Sequence, residues 1–153
     1  MDVNLINPVL EAMAEILPQI GFQSIEKKNV SLHDPVLSWK GIVVNISMMG
    51  SVKGTVVIGM EKAAACSFAS TMMMGMEVSD LDGLAQSAIS EMANMVCANA
   101  CTRFSRQGVD GVDISPPILL VGEAGKVTLP VPKVVTVEFL VDGIALNIHV
   151  GLR

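Results

Sequence analysis

The sequence predicts an α/β protein of the α+β type, with three helices packed on a largely antiparallel β-sheet. Two observations lead to this fold class. Apolar residues recur with the helical period in three segments, and β-branched residues concentrate in six strand-like segments. The segments follow the order helix, three strands, two helices, three strands. Consecutive strands joined by short turns pair antiparallel, which gives a sheet with helices gathered beside it.

The first half of the chain is predicted to form one helix and three strands. Asn7 and Pro8 open the helix, because proline is tolerated in the first turn, and Pro18 and Gly21 end it. The three strands are predicted over 24–33, 37–49 and 52–60, separated by Asp34-Pro35 and by a turn at Gly50-Ser51.

The second half is predicted to form two helices and three more strands. The first helix covers 61–74, and Ser79 or Asp80 caps a long second helix over 81–107. Gly108 and Gly111 close that helix. The strands are predicted over 113–123, 131–141 and 143–152, with Asp142-Gly143 as the turn of a hairpin. Each half of the chain thus contains a helix followed by three strands, which suggests a pseudo-duplicated fold.

Length and composition predict a single domain over 1–153. The 153 residues are 51% hydrophobic and 16% charged, a balance that excludes a disordered chain. The net charge of −5 and the 3% of aromatic residues argue against nucleic-acid binding. The most apolar helical stretch, 63–76, is shorter than the roughly 20 residues of a membrane span, so no membrane insertion is expected.

The cysteines and the start of the chain indicate a cytoplasmic protein. Three cysteines without a C-x-x-C pair are typical of reduced thiols, and no metal-ligand spacing is present. The chain has no basic residue before Lys27, so it lacks the start of a signal peptide. His33 and His149 have no sequence neighbours that would make a catalytic or metal site, and both are interpreted as ordinary strand residues.

The long central helix carries the most informative side chains. Ser87, Glu91 and Asn94 are spaced i, i+4 and i+7, so they form a stripe on its flank. Taken alone, such a polar pair is typical of a solvated helix face. The core face of the same helix is predicted at Leu81, Leu84, Ala85, Ala88, Met92, Met95 and Val96.

The spacing of this stripe resembles a family signature. Ser87-x3-Glu91-x2-Asn94-x22-Pro117 is similar to the [D/S]-x3-E-x2-N-x22-P pattern of the CheC/CheX/FliY family, phosphatases of the phosphorylated chemotaxis regulator CheY. Segments 6–8, 50–54, 87–97 and 130–133 also look like CheX, so the resemblance covers nearly the whole chain. Glu11 in the first helix is followed by Ala14 instead of asparagine, so only one site is expected, which is the CheX-like pattern.

The resemblance implies hydrolysis of the aspartyl phosphate of a CheY-like response regulator. Asn94 would position the attacking water, as an amide does in small GTPases, and Glu91 would dock to the regulator's active-site lysine. Ser87 is expected to support these residues without being catalytic. Pro117 is expected to shape the strand beside the site, or to be a simple bulge at a sheet edge.

The resemblance also bears on cofactors and partners. It implies no cofactor of the chain's own, Mg²⁺ in the partner regulator's site, and a homodimer. The open alternative is a non-catalytic module on the same fold, which binds a phosphorylated receiver domain or scaffolds a complex.

Overall fold

The computed structural model describes residues 2–153, in which three helices pack on a seven-stranded sheet. The helices are α1 (Val3–Gln19), α2 (Lys62–Met72) and α3 (Gly83–Arg106). The strands are β1 (Ile25–His33), β2 (Val36–Gly50), β3 (Gly54–Met60), β4 (Val112–Ile114), β5 (Ile118–Thr128), β6 (Val134–Val141) and β7 (Ile144–Leu152). The predicted fold class is confirmed. No helix of the described residues is long and apolar enough to cross a membrane.

All strand pairs of the sheet are antiparallel. The order is β1-β6-β7-β3-β2-β4, and β5 pairs with β2 beside β4. Exchanging β1 with β5, β2 with β6 and β3 with β7 reproduces this order in reverse. The sheet therefore has the pseudo-twofold symmetry that the repeated element order predicts, with α1 and α3 at the start of the two halves and α2 between them.

The two faces of the sheet are covered differently. One face and the three helices enclose the main core, to which β2 contributes Ile42, Val44, Ile46 and Met48 on alternate positions. The opposite face carries a smaller cluster of Leu37, Val43, Val57, Leu129, Val131 and Val134, with Trp39 packed against it. The rest of that face has no helix over it, and we call it the helix-free face.

Two helix boundaries differ from the prediction. Helix α1 begins at Val3, one turn earlier than Pro8 suggested, because the Asp2 carboxylate accepts a hydrogen bond from the Asn4 amide and caps it. Helix α3 is capped by Asp82, which accepts from the Ala85 amide at 2.9 Å, and by neither predicted residue. Asp80 instead forms an ion pair with Lys62 at 2.9 Å.

The core face of α3 is also shifted from the prediction. Leu84 is 57% exposed, although the helical period placed it in the core, and Ala88 and Met95 are only half-buried. The buried residues are Ala85, Ile89, Met92, Ala93, Val96, Cys97, Ala100 and Phe104. The small residues among them allow α3 to lie close to its neighbours, so alanines and a cysteine replace the larger side chains that hydropathy favoured.

The predicted strand over 113–123 is two strands in the structure. Pro116 and Pro117 fall between β4 and β5. Neither proline has an amide N–H to donate to the β2 ladder, so pairing stops at Ile114 and resumes at Ile118. The interruption creates a short segment beside α3.

Candidate functional site

A groove of about 520 Å³ lies between α3 and the segment that joins β4 to β5. It brings together all four residues that the sequence singled out, Ser87, Glu91, Asn94 and Pro117. Its remaining lining residues are Ser90, Ile114, Ser115 and Pro116. The helix supplies one wall and the proline segment supplies the other, with β4 between the two along the chain.

The α3 wall presents the predicted flank stripe. Ser87 and Glu91 are exposed and Asn94 is half-buried, so the Asn94 amide lies deeper in the groove than the Glu91 carboxylate. The core positions Ile89, Met92 and Ala93 alternate with these residues and fix the rotation of the helix. The stripe is therefore positioned by packing on the opposite side of the same helix.

Ser115 anchors the opposite wall to the sheet. Its backbone N–H donates to the carbonyl of Ser47 at 2.9 Å. Its hydroxyl accepts from the Ser47 N–H at 3.1 Å and donates to the Pro116 carbonyl at 3.2 Å. These bonds replace the ladder that the prolines cannot form, so they hold Pro116 and Pro117 against α3.

Glu91 and Asn94 are free to bind a partner. The ion pairs and side-chain hydrogen bonds within residues 2–153 involve neither of them. Glu91 is also the sole charged residue in the lining of this groove. The groove therefore offers one carboxylate and one amide on an otherwise neutral surface.

Four lining residues were missed by the sequence analysis. Ser90 lies one residue before Glu91 in the predicted helix but was not singled out, while Ile114, Ser115 and Pro116 fall within the strand predicted over 113–123. The Pro-Pro pair was the available signal for a strand break. The recruitment of Ser115 depends on its contact with Ser47, which is distant in sequence and leaves no local pattern.

The cysteines lie outside this groove. All three are free thiols, in agreement with the prediction. Burial raises the pKa of the Cys97 thiol to about 12, and burial also raises the pKa of Cys66 and of Cys101. Thiolates are therefore disfavoured at neutral pH, and none of these residues has the character of a nucleophile.

A larger cavity, of about 580 Å³, lies at the start of α2 and contains none of the motif residues. Its two lysines are already paired, Lys40 with Glu61 at 3.2 Å and Lys62 with Asp80 at 2.9 Å. The groove on α3 is smaller but holds unpaired functional groups, and we therefore take it as the candidate site.

Helix α1 presents a different surface at its corresponding position. Glu11 pairs with Arg103 of α3 at 3.3 Å, and the same guanidinium also binds Glu15. Ala14 is exposed and has no polar group. The Glu11 carboxylate of α1 is thus committed to an interhelical contact, and the expectation of one site stays a prediction.

Comparison with known proteins places this geometry in a family. The family model described as chemotaxis phosphatase CheX matches residues 42–140. CheY-P phosphatase CheX of Thermotoga maritima is 29% identical over 129 residues, which cover 83% of this chain and 81% of that protein.

Solved structures share the fold over the full chain. A CheC-like superfamily protein from Shewanella sp. PV-4 has a TM-score of 0.87 and 20% identity, covering 100% of this chain and 99% of its own. CheX in the CheX-CheY-BeF₃-Mg²⁺ complex from Borrelia burgdorferi has a TM-score of 0.79 and 25% identity, covering 97% of each chain. With the family model matching well over half of its length, this chain belongs to the CheX family of chemotaxis phosphatases.

Proposed function

We propose that this protein accelerates hydrolysis of the aspartyl phosphate of a CheY-like response regulator, with residues 1–153 acting as one CheX-like domain. The observation that carries the proposal is the groove in which Glu91 and Asn94 are unpaired and face Pro117. The Thermotoga maritima relative is named a CheY-P phosphatase, and the Borrelia burgdorferi structure contains CheX together with CheY.

In this proposal Asn94 positions the attacking water. Hydrolysis requires water to approach phosphorus in line with the bond to the aspartate, which breaks to leave a free carboxylate and inorganic phosphate. An amide suits this task because its oxygen accepts a hydrogen bond from the water while its NH₂ donates to a phosphoryl oxygen. The half-buried position of Asn94 supports this role, since few orientations are open to a side chain inside a groove.

Glu91 docks the partner by pairing with its active-site lysine. A carboxylate and an ammonium form a charge-assisted hydrogen bond, which is stronger than a neutral one. Glu91 is exposed and has no ion-pair partner among residues 2–153, so no contact seen there must be broken when the complex forms. Ser87, one turn before Glu91, supports the docking surface without taking part in the reaction.

The proline segment closes the other side of the site. Pro117 is half-buried and its backbone is restricted, so it limits the approach of the partner to the space beside Asn94. The alternative that Pro117 is only an edge bulge accounts for the strand break but not for its position opposite the motif.

The positive charge needed for phosphoryl transfer comes from the partner in this scheme. No lysine, arginine or histidine lines the groove, so these residues cannot neutralise a phosphoryl group. The Borrelia burgdorferi complex contains Mg²⁺ and BeF₃ together with CheY. We therefore assign Mg²⁺ to the regulator and no cofactor to this chain.

The proposal is tested by phosphate release from phosphorylated CheY-like regulators of the same organism, with Mg²⁺, in the presence of the native protein or Asn94→Ala. We expect acceleration by the native protein and a loss of about 10²- to 10³-fold in the variant, because a positioned polar group contributes that much to such reactions. Asn99→Ala is a matched control on the same helix, because Asn99 contacts Arg103 instead of the groove.

The same assay separates the two functions. Native acceleration that persists in Asn94→Ala would contradict the water-positioning role. Binding of a regulator without any acceleration would instead support the non-catalytic module that senses or scaffolds phosphorylated receivers.

A homodimer remains part of the proposal. Exposed apolar residues lie on the two outer strands of the sheet, with Val30 and Leu32 on β1 and Ile118 and Leu120 on β5. Strands with one free edge are ready to pair with another chain. Sedimentation at micromolar concentration should give the mass of two chains, and the mass of one chain would contradict the prediction.

A further inference from the structure

Two histidines on the helix-free face are joined by a single hydroxyl group. Thr136 of β6 is the register partner of His149 of β7, and His33 of the neighbouring strand β1 lies diagonally from Thr136, as the register partner of Val134. The Thr136 hydroxyl contacts His33 Nε2, and it lies 2.7 Å from His149 Nδ1. The imidazole rings are 6.4 Å apart and nearly perpendicular. Sequence spacing did not predict a link between these histidines, because the link depends on Thr136 of a third strand.

Proton counting fixes the tautomer of each neutral ring. His33 Nδ1 is 2.9 Å from the Asp34 carbonyl, which only accepts, so Nδ1 must carry the proton and Nε2 must accept from the Thr136 hydroxyl. The Thr136 hydroxyl has then used its one proton. The contact between Thr136 and His149 therefore requires His149 to donate from Nδ1. His149 Nε2 is left as a bare acceptor.

His149 faces a groove on this side of the sheet. The groove has a volume of about 390 Å³ and is lined by Trp39, Val43, Gly59, Ala145 and Asn147, among others. His149 Nε2 has no hydrogen-bond partner within residues 2–153. Burial lowers the pKa of His149 to about 4, and the nearby His33 adds to this effect, so the ring stays neutral over the physiological range.

We propose that His33, Thr136 and His149 form a proton relay that determines whether His149 Nε2 donates or accepts a hydrogen bond in this groove. When a proton enters at His149 Nε2, the Nδ1 proton passes to the Thr136 oxygen. The Thr136 proton then passes to His33 Nε2. The added charge resides on His33, and His149 stays neutral with its proton moved from Nδ1 to Nε2.

The relay changes the class of group that the groove binds. While His33 is neutral, Nε2 of His149 accepts a hydrogen bond from an N–H or O–H group. Once His33 is protonated, the same nitrogen donates and favours a carbonyl or carboxylate oxygen.

Charged residues surround the relay on both sides. Asp34, paired with Lys133 at 2.8 Å, lies beside His33. Glu138 of β6 and the Lys40–Glu61 pair line the groove next to His149.

Nitrogen-15 NMR of histidine-labelled protein tests the assignment directly, because protonated and unprotonated ring nitrogens resonate in separate ranges. At a pH where His33 is neutral, we expect both histidines as Nδ1–H tautomers. As His33 takes up its second proton, the Nδ1 and Nε2 signals of His149 should exchange places without His149 becoming charged. An Nε2–H tautomer of His149 at the higher pH would overturn the proposal, as would an unchanged tautomer after His33 is protonated.

Two variants isolate the relay from the general effect of pH. Thr136→Val keeps the shape of the side chain and removes the hydroxyl, and His33→Ala removes the terminal proton acceptor. In either variant the tautomer of His149 should no longer change when the pH is lowered, as it does in the native protein. Persistence of the exchange in a folded variant would show that the Thr136 link is not the cause, and His33→Ala provides the result if Thr136→Val does not fold.

Discussion

Helices α1 and α3 begin the two pseudo-symmetric halves of the fold, but their acidic side chains have different environments. Glu11 of α1 is bound to Arg103, whereas Glu91 of α3 has no ion-pair partner in the part of the chain that the structure describes. Three residues further on, α1 has Ala14 and α3 has Asn94. The fold thus provides two equivalent helix positions, of which one carries an interhelical ion pair and the other, in our proposal, binds the regulator.

In α1, an ion pair between helices occupies the acidic side chain that would otherwise be open to a partner. Arg103 is only 21% exposed and reaches Glu11, Glu15 and Asn99 at once, so it joins α1 to α3. A carboxylate that is already paired with an arginine is poorly available to the lysine of a partner. Glu91 is exposed and makes no ion pair within residues 2–153, so its carboxylate remains available to the lysine of a partner.

The largest effect is expected when the amide is moved from one helix to the other. The double variant Asn94→Ala/Ala14→Asn should remain about 10²- to 10³-fold slower than the native protein in phosphate release. Ala14 is three residues from Glu11, whose carboxylate is already paired with Arg103. In addition, the segment between α1 and β1 contains no Pro-Pro pair that could form a wall like that of Pro116 and Pro117. Recovery of native activity would show that the two helices are functionally interchangeable.

The second-largest effect is expected in the affinity for the regulator, when Glu91 or Glu11 is changed to glutamine. Glu91→Gln should weaken binding of a regulator activated with beryllofluoride by about 10- to 100-fold, because a hydrogen bond to a charged group contributes about 1.5–3 kcal/mol. Glu11→Gln is the matched control and should leave the affinity unchanged. Isothermal calorimetry on both variants measures the contrast, and equal affinities would remove the docking role from Glu91.

Loss of the interhelical arginine should lower stability without changing activity. Arg103→Met keeps the aliphatic length but leaves Glu11 and Glu15 without their cation. We expect the free energy of unfolding to fall by about 1–2 kcal/mol, since the two carboxylates are 54% and 40% exposed and solvent screens them. Thermal unfolding should show a decrease of a few degrees.

Arg106→Met serves as the control for that measurement. Arg106 lies in the same last turn of α3 but is exposed and makes no ion pair with residues 2–153. Equal destabilisation by both substitutions would indicate a general effect of charge at the helix end and not the link to α1.

The smallest effect is expected for Ala14→Asn alone. The substitution restores the Glu-x-x-Asn pattern on α1 at a cost of about 0.5 kcal/mol in helix propensity. Phosphate release should stay at the native rate, because the Arg103 contact is intact. A rate approaching twice the native value would mean that pairing with Arg103 does not inactivate Glu11.

The sequence predicted the regular parts of this molecule well because they depend on local patterns. Alternation along β2 and the helical period of α3 were sufficient to identify those elements and to separate the Glu91 stripe from the core. The prediction for Leu84 was wrong because close helix packing selected alanines for the buried face. Hydropathy alone does not encode that choice.

Contacts between distant residues explain what the sequence did not predict. The wall of the groove depends on Ser115 binding Ser47, and the pairing of Glu11 depends on Arg103 reaching it across 92 positions. The relay between His33 and His149 likewise depends on a threonine of a third strand. None of these pairs has a spacing rule, because the sheet topology brings them together.

The lifetime of the aspartyl phosphate inside a saturated complex tests the central claim most directly. Phosphorylated regulator would be mixed with an excess of native protein or Asn94→Ala, and the loss of phosphate followed in a single turnover. We predict that Asn94→Ala binds the regulator but leaves the phosphate with nearly the lifetime it has in the regulator alone, whereas the native protein shortens it. An equally short lifetime with both proteins would contradict the assignment of water positioning to Asn94.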